Sequence, residues 1–367
     1  MVLFKIFKVG EKMKKKNVCY VINSIKRCGP VNILISMIKG INLKKFNVSL
    51  ITLLDDNDKL FLDQLGNLGI NIICFDYPKS PRTFIKKTEI VNKINLMNFD
   101  VIHVHGHITA MLVDEVKAKK IITVHNKLYE DFKNSYGIIS GLIINTFYIH
   151  SLKKFDKVIC CSKSSFDKCK KKISNVTYIR NGIYIDKNKN NLEIRKKIRR
   201  NLNIPDNAIV YIYVGNYTKL KRVLKMLEMF KKNLNNNEYL ICLGDGKLFK
   251  KAKKYSSEKI IQLGFVKNVI DYMCASDIYT SFSSTEGLPV SIIEALSCNL
   301  LLLLSNIDSH KEIIDIDENL YVGEVFNFKD FCVQKEKVAN SERNDSILLQ
   351  EKYLSSKSMM ELYEKEY

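Results

Sequence analysis

Continuous apolar runs, separated by helix-length segments, recur along most of the chain. Val18-Cys19-Tyr20-Val21-Ile22-Asn23 is the first such run. It passes through Ser24-Ile25-Lys26-Arg27-Cys28-Gly29-Pro30 into a helical pattern over 31–41. Strand patterns follow at 48–53, 70–75, 101–105, 121–125, 158–162 and 176–179. Helical patterns at 59–68, 84–97 and 136–154 lie between them. Unbroken apolar runs of this length suit strands covered on both faces, and their alternation with helices predicts a parallel sheet. The pattern pauses over 184–207, rich in Lys and Asn, where a linker with a short helix at 192–202 ends in the turn signal Pro205-Asp206. It resumes with Ala208-Ile209-Val210-Tyr211-Ile212-Tyr213-Val214-Gly215 and strands at 239–243, 259–263, 278–282 and 300–304. The fold class is therefore α/β, with two doubly wound halves over 17–183 and 208–345. Residues 346–364 carry Leu348, Leu349, Tyr353, Leu354, Met359, Met360, Leu362 and Tyr363 at helical spacing, one amphipathic terminal helix within 346–367.

Composition changes little in that picture, but charge adds to it. An apolar fraction of 46% with 15 Gly and 5 Pro suits a folded globular chain. Lys and Arg number 59 against 39 Asp and Glu, giving a net charge of +20. Nucleic acid, anionic membrane and anionic substrate compete to explain it. The lysines are spread along the chain without interleaved aromatic platforms, so no nucleic-acid partner is expected. A basic surface able to touch anionic lipid stands as a hypothesis; failure to bind anionic vesicles at low salt would count against it. No apolar run reaches the length of a membrane span; 138–149 comes nearest and is broken by Gly141, Asn145 and Thr146. Ten cysteines with no Cys-x-x-Cys pair predict free thiols in a reducing cytoplasm. Residues 1–16 place their basic run after the apolar stretch, the wrong order for a signal peptide. They are expected to be a disordered basic N-terminus, with Met13 as an alternative start.

One stretch carries most of the candidate chemistry. After the strand at 278–282 comes Thr285-Glu286-Gly287-Leu288-Pro289-Val290-Ser291-Ile292-Ile293-Glu294-Ala295. Gly287 permits a tight turn, and Pro289 suits the first position of a helix, where a missing N–H matters little. A helix N-terminus offers free amides and positive dipole character, a seat for phosphate. At about 1.5 Å per residue, Glu294 lies roughly 8 Å along from the helix start. Two carboxylates flanking a phosphate seat match a nucleotide-diphosphate sugar, which has hydroxyls at both ends. An exposed helical Glu beside a turn carboxylate is the bland alternative.

Glu286 to Glu294, in the setting Glu-Gly-Leu-Pro with Ala275-Ser276-Asp277 ahead of the strand, resembles the Glu-x7-Glu motif of retaining glycosyltransferases of family four. The resemblance runs from Asn17 to about Tyr321 and implies the GT-B fold, two Rossmann-like domains facing across a cleft. It implies that 17–183 forms an acceptor-side domain, 208–345 the donor domain, and that the terminal helix crosses back to the first. It further implies that Glu286 holds donor-sugar hydroxyls and Glu294 the ribose, with Gly287, Leu288, Pro289 and Val290 at the donor. Asn216-Tyr217-Thr218-Lys219-Leu220-Lys221-Arg222 occupies the place of a Gly-Arg followed by Lys, a diphosphate clamp. Lys221 fits the Lys position, whereas Asn216 replaces the Arg. Loss of that charge-assisted contact is worth on the order of 2 to 4 kcal/mol of barrier, so either Lys219 or Arg222 reaches in or activity is weak.

Other positions follow by the same likeness. Gly29 resembles the first-strand glycine that lies against donor phosphates and acceptor; a plain turn before a helix is the alternative. His125, closing Thr123-Val124-His125-Asn126, resembles the family His that approaches the donor sugar, where it would hydrogen-bond the sugar or accept charge near the reacting carbon. His105 resembles the preceding His-Gly on the acceptor side. A solvated loop His is the alternative for each. Gly244 belongs to a Gly-x-Gly turn, Leu243-Gly244-Asp245-Gly246, that shapes the nucleotide pocket. Phe265 and Val266, in Leu263-Gly264-Phe265-Val266, resemble a segment whose backbone meets the nucleobase. Arg180-Asn181-Gly182-Ile183 resembles the turn that closes the first domain. The histidines and carboxylates lack metal-ligand spacing, so no metal and no resident cofactor are expected. The implied activity is transfer of a sugar from a nucleotide-diphosphate sugar to a hydroxyl of a glycan or lipid-linked glycan. A nucleotide-sugar epimerase and a non-catalytic GT-B partner subunit are the rivals.

Overall fold

The structure, a computed structural model, describes residues 14–26, 28–125, 128–185, 191–343 and 345–367. The expectations for residues 1–13 and for Asn126 fall outside these. Seven strands form the first sheet: β1 (Lys16–Ile22), β2 (Phe46–Leu54), β3 (Asn71–Tyr77), β4 (Val101–His105), β5 (Lys119–Val124), β6 (Lys157–Cys160) and β7 (Val176–Tyr178). Six form the second: β8 (Ile209–Val214), β9 (Glu238–Leu243), β10 (Ile260–Gly264), β11 (Ile278–Ser281), β12 (Leu301–Ser305) and β13 (Gly323–Phe326). The spatial orders are β3-β2-β1-β4-β5-β6-β7 and β10-β9-β8-β11-β12-β13. All the strand pairs are parallel.

In both sheets the chain winds outward from the first strand and then returns to its other side. The reversals fall between β1 and β4 and between β8 and β11. A crevice opens at the carboxyl ends of the strands where such a reversal occurs. Gly29, His105, His125, Asn216 and Glu286 all lie at or beyond the carboxyl ends of strands at or next to these two reversals. Central strands are dry on both faces: Val18 to Val21 and Val210 to Ile212 are each at most 0% exposed.

Three features depart from the sequence pattern. β13 is unmarked because Gly323 breaks its apolar run, yet Gly323 is what lets this strand lie against the Leu302 backbone, with φ of 140°. Short helices at His107–Val113 and Tyr129–Tyr136 were not foreseen either. The terminal helix is two helices, Ser346–Tyr353 and Ser356–Glu366. They break at Ser355, whose hydroxyl caps the second helix in a reciprocal pair with Ser358. At the break Ile183 donates its N–H to Leu354 O at 3.0 Å and accepts one from Ser356 N at 2.9 Å. The final helix then lies on the first half, beside the Gly29–Gly40 helix. Tyr363 and Tyr367 are buried under the first sheet, where Tyr367 bonds Tyr20 at 3.0 Å and His103 Nδ1 at 2.7 Å.

The halves also meet directly. Glu312, from the Asp308–Ile314 helix of the second half, accepts hydrogen bonds from Lys163 N (2.8 Å) and Ser164 N (3.3 Å). It pairs with Arg180 at 3.0 Å as well. One carboxylate of the second half thus caps a first-half helix and neutralises a first-half cation.

Candidate functional site

Between the halves lies a cavity of about 360 Å³, within the roughly 300–1,000 Å³ typical of small-molecule sites. Two helices begin at it. Gly29–Gly40 enters from the first half and Val290–Ser297 from the second, and neither has a side chain capping its first amides. First-turn N–H groups free of a capping side chain therefore begin at one space, although Pro30 has none and Ile292 N–H is taken by Pro289 O at 3.2 Å, and this arrangement favours an anion. Gly29 lines it, and a Cβ there would lie 3.6 Å from Val290 Cγ2 across the gap. Pro289 stands one residue before its helix, with φ of −67° and ψ of 121°, instead of in the first turn.

Gly287 is required for a reason other than the tight turn expected of it. Its backbone is not left-handed; a Cβ would sit 2.6 Å from the carbonyl oxygen of His125 and 3.2 Å from Cys161 Sγ. The glycine permits the second half to press on the end of β5. Asn181, which also lines the cavity, fastens the same loop by donating to Leu288 O at 3.1 Å. Asn-Gly at 181–182 marks a turn in the sequence, but nothing local signals this reach across the cleft.

Glu286, Glu294, Lys221, Asn216 and His125 all line the cavity. Lys221 Nζ is ion-paired with the Glu286 carboxylate, which also accepts from Ser283 Oγ at 2.6 Å. The loops that carry them are tied together, since Ser284 N and Oγ both donate to Leu220 O, at 2.8 and 3.0 Å. Asn216 is exposed at the mouth. The two cations expected to compensate for it do not line the cavity. Arg222 has a left-handed backbone, φ 48°, and its guanidinium lies 5.4 Å from the Phe328 ring centroid, beside another depression. Lys219 is exposed outside the cavity lining. Among the described residues Lys221 is the one Lys or Arg lining the cavity.

Glu294 is enclosed enough that burial pushes its carboxyl up to about 7. Because the folded value exceeds the unfolded one, folding disfavours the ionised form. The protein therefore loses stability as pH rises from about 4.5 through 7. Glu294→Gln is expected to make the ligand-free protein more stable than wild type at pH 8, by at most about 3 kcal/mol. At pH 4 the two should be alike. Urea unfolding at both values checks this, and equal stabilities at pH 8 would refute the burial account.

Three histidines stack along the end of the first sheet. Ring centroids of His103 and His105 are 4.7 Å apart, and those of His105 and His125 are 5.3 Å apart. Burial is the main cause holding all three below the usual histidine range, His103 at about 3 and His125 at about 4. All are neutral at pH 7. His105 Nδ1 lies 3.0 Å from His125 Nε2, while His105 Nε2 is buried without a partner. A buried acceptor without a partner is better tolerated than a buried N–H without one. The proton of His105 therefore sits on Nδ1 and is donated to His125, leaving His125 its proton on Nδ1. His105 is fully buried behind His125, so its influence on the cavity passes through His125 instead of through direct contact.

Gly244, Phe265 and Val266 do not line this cavity. Gly244, φ 124°, closes against the Gly215 backbone at the end of β8. Phe265 is 63% exposed beyond β10, and Val266 is half-buried.

Comparison with known proteins follows this division into halves. Residues 29–187 match the family described as Glycosyltransferase Family 4, and residues 194–348 match Glycosyl transferases group 1. The O-antigen biosynthesis glycosyltransferase WclY of Escherichia coli is 27% identical over 316 residues, 81% of this chain and 82% of its own. The UDP-Gal:alpha-D-GlcNAc-diphosphoundecaprenol alpha-1,3-galactosyltransferase of Escherichia coli is 24% identical over 280 residues, 70% of this chain and 68% of its own. Among solved structures, Anabaena HepE in complex with UDP and glucose superposes with a TM-score of 0.75 at 16% identity, covering 95% of this chain and 98% of that one.

Proposed function

The chain belongs to the GT-B glycosyltransferases of family four and group 1, and from that premise we propose that it is a retaining, metal-independent transferase of surface-polysaccharide assembly. It moves a sugar from a nucleotide-diphosphate sugar to a hydroxyl of a glycan or lipid-linked glycan. The convergence of Glu286, Glu294, Lys221 and two uncapped helix ends on one cavity carries this reading. A relative named for a diphosphoundecaprenol-linked acceptor, and a fold neighbour that holds UDP and glucose, support the two substrate classes.

The chain's own groups divide the donor between them. Ionised Glu294 accepts hydrogen bonds from the ribose diol. Glu286 accepts from donor-sugar hydroxyls, and Lys221, leaving its pairing with Glu286, turns to the diphosphate. The two helix ends supply further amides for phosphate oxygens, and these groups take the place a metal ion would fill. His125, neutral and carrying a proton on Nδ1, donates to a sugar hydroxyl. The backbone of Phe265 and Val266, outside the lining of the cavity in the ligand-free chain, is assigned to the nucleobase, and Gly244 to the turn beside them.

Incubating the full chain with a panel of nucleotide sugars, with and without acceptor, tests the proposal. Transfer needs acceptor, epimerisation does not, and a non-catalytic subunit does neither. NMR of the product anomeric centre then tests retention, and an inverted product overturns that part. Glu294→Ala is expected to raise the donor KM strongly. Asn216→Arg is expected to raise kcat/KM by about tenfold or more, since a charged hydrogen bond contributes about 1.5–3 kcal/mol. An unchanged or lower kcat/KM would show that position 216 does not face the diphosphate.

A further inference from the structure

The Ile138–Leu152 helix is turned inside out relative to an ordinary surface helix. Its inward face carries Gly141, Asn145, Tyr148, Ser151 and, at the last turn, Leu152, all buried. Its outward face carries Ile138, Ile139, Leu142, Ile143 and Phe147, all exposed, with Ile139 at 76%. The packing fixes this orientation. A Cβ at Gly141 would lie 2.7 Å from Lys133 N of the preceding helix, so only the glycine face can turn inward. Beside the ridge lies a groove of about 540 Å³, walled by Phe84, Met111, Tyr136, Ile144 and Phe147. Ile85, 82% exposed, extends the apolar surface past Phe84. A continuous patch of this kind is not ordinary surface scatter.

We propose that this ridge and groove dock on an anionic lipid bilayer. The inference rests on the reading that the acceptor is lipid-linked, and it assigns the face that meets the membrane. Charge favours a bilayer over a protein partner. The chain carries a net +20, Lys153 stands exposed where the helix ends, and Lys133 is exposed on the preceding helix, whose backbone packs on Gly141. A helix lying flat with apolar residues down and lysines at its flanks suits the interface of an anionic membrane. Lys87 and Lys154, nearer the groove, are paired with Asp114 and Glu115 and contribute less. Position favours it too. His107 lines the groove and lies two residues beyond His105, which bonds His125 at the cavity. A substrate held in the bilayer at this face reaches the cleft along its first-half edge.

Vesicle flotation of the full chain tests the assignment, using phosphatidylcholine with and without phosphatidylglycerol. Binding is expected to vesicles containing phosphatidylglycerol and to weaken in high salt. The triple variant I139S/L142S/F147S should lose about tenfold or more in vesicle affinity. Charge reversal at Lys133→Glu with Lys153→Glu should weaken the preference for anionic lipid, and an unchanged preference would remove these two lysines from the docking face. A wild-type chain that fails to float, or a triple variant that floats as well as wild type, overturns the proposal. So does a concentration-dependent dimer in sedimentation velocity that the triple variant abolishes while neither chain binds vesicles, which would assign the ridge to a second copy. The donor reading is scored separately, by whether nucleotide sugar raises the melting temperature of both chains equally. Vesicle binding without that shift strikes the transferase reading and leaves the docking face standing.

Discussion

Lys221→Ala is expected to lower kcat for sugar transfer by two to three orders of magnitude. A diphosphate leaving group gathers negative charge as the glycosidic bond breaks. Groups already aimed at that charge in a site sheltered from water stabilise the transition state by roughly 3–4 kcal/mol each. Lys221 bears an unusual share of that task here. Asn216 supplies no charge, and Arg222 is turned onto Phe328, outside the cavity. The same lysine balances Glu286, whose side chain is only 13% exposed. Among the described residues, removing it therefore leaves that carboxylate with Ser283 as its side-chain partner, and weakens its grip on the sugar. The loss should appear mainly in kcat, with a smaller rise in donor KM. A double-mutant cycle with Glu286→Gln should show strong coupling, because each side chain answers for the other in the ligand-free state. A Lys221→Ala enzyme with kcat within about threefold of wild type would remove Lys221 from the chemistry.

The parts of this molecule that the sequence made readable are those governed by local pattern. Apolar runs such as Val18–Val21 and Val210–Tyr213 can bury only in a sheet covered on both faces. Helix-length spacers between them leave parallel pairing as the simple solution, and ligand positions at strand ends follow from topology. What stayed hidden depends on contacts between segments distant in sequence. Nothing near Glu312 indicates that it will cap a helix some 150 positions earlier in the chain. Arg222 looked able to replace a missing arginine, yet its left-handed backbone turns it the other way. The apolar positions of 346–364 fit one helix, and only the crossing of Gly182 and Ile183 past Ser355 explains the break. His105 could be read as a cleft residue by its place at a strand end, but strand ends alone do not say which side chain lies in front. His125 takes that place, one strand over.

Gly287→Ala is the substitution in which fold and chemistry meet most directly, and it is expected to lower kcat/KM by about a hundredfold while leaving both sheets folded. The added methyl would begin 2.6 Å from the His125 carbonyl oxygen, a backbone atom at the end of a buried strand. Neither side can yield by a rotamer change. The loop is held from its other flank by Asn181 on Leu288 O. Relief must come from backing the Glu286–Val290 segment out of the cleft or from opening the halves. The first movement carries Glu286 and the uncapped helix end away from Lys221 and His125; the second carries them, together with Lys221, away from His125. A displacement of about 1 Å at a reacting centre is enough for such a loss. Overpacking of this kind also destabilises by about 1–3 kcal/mol, so a modest fall in melting temperature should accompany it. Gly182→Ala separates the two effects. It presses on the Ser355 carbonyl at the other crossing between segments; Gly182 does not itself line the cavity, although its neighbour Asn181 does. It should lower stability comparably or more, yet spare kcat/KM in whatever fraction remains folded. If Gly287→Ala kept full activity, or if both variants lost activity only in proportion to their unfolding, the close approach at β5 would be a packing detail and not a condition of catalysis.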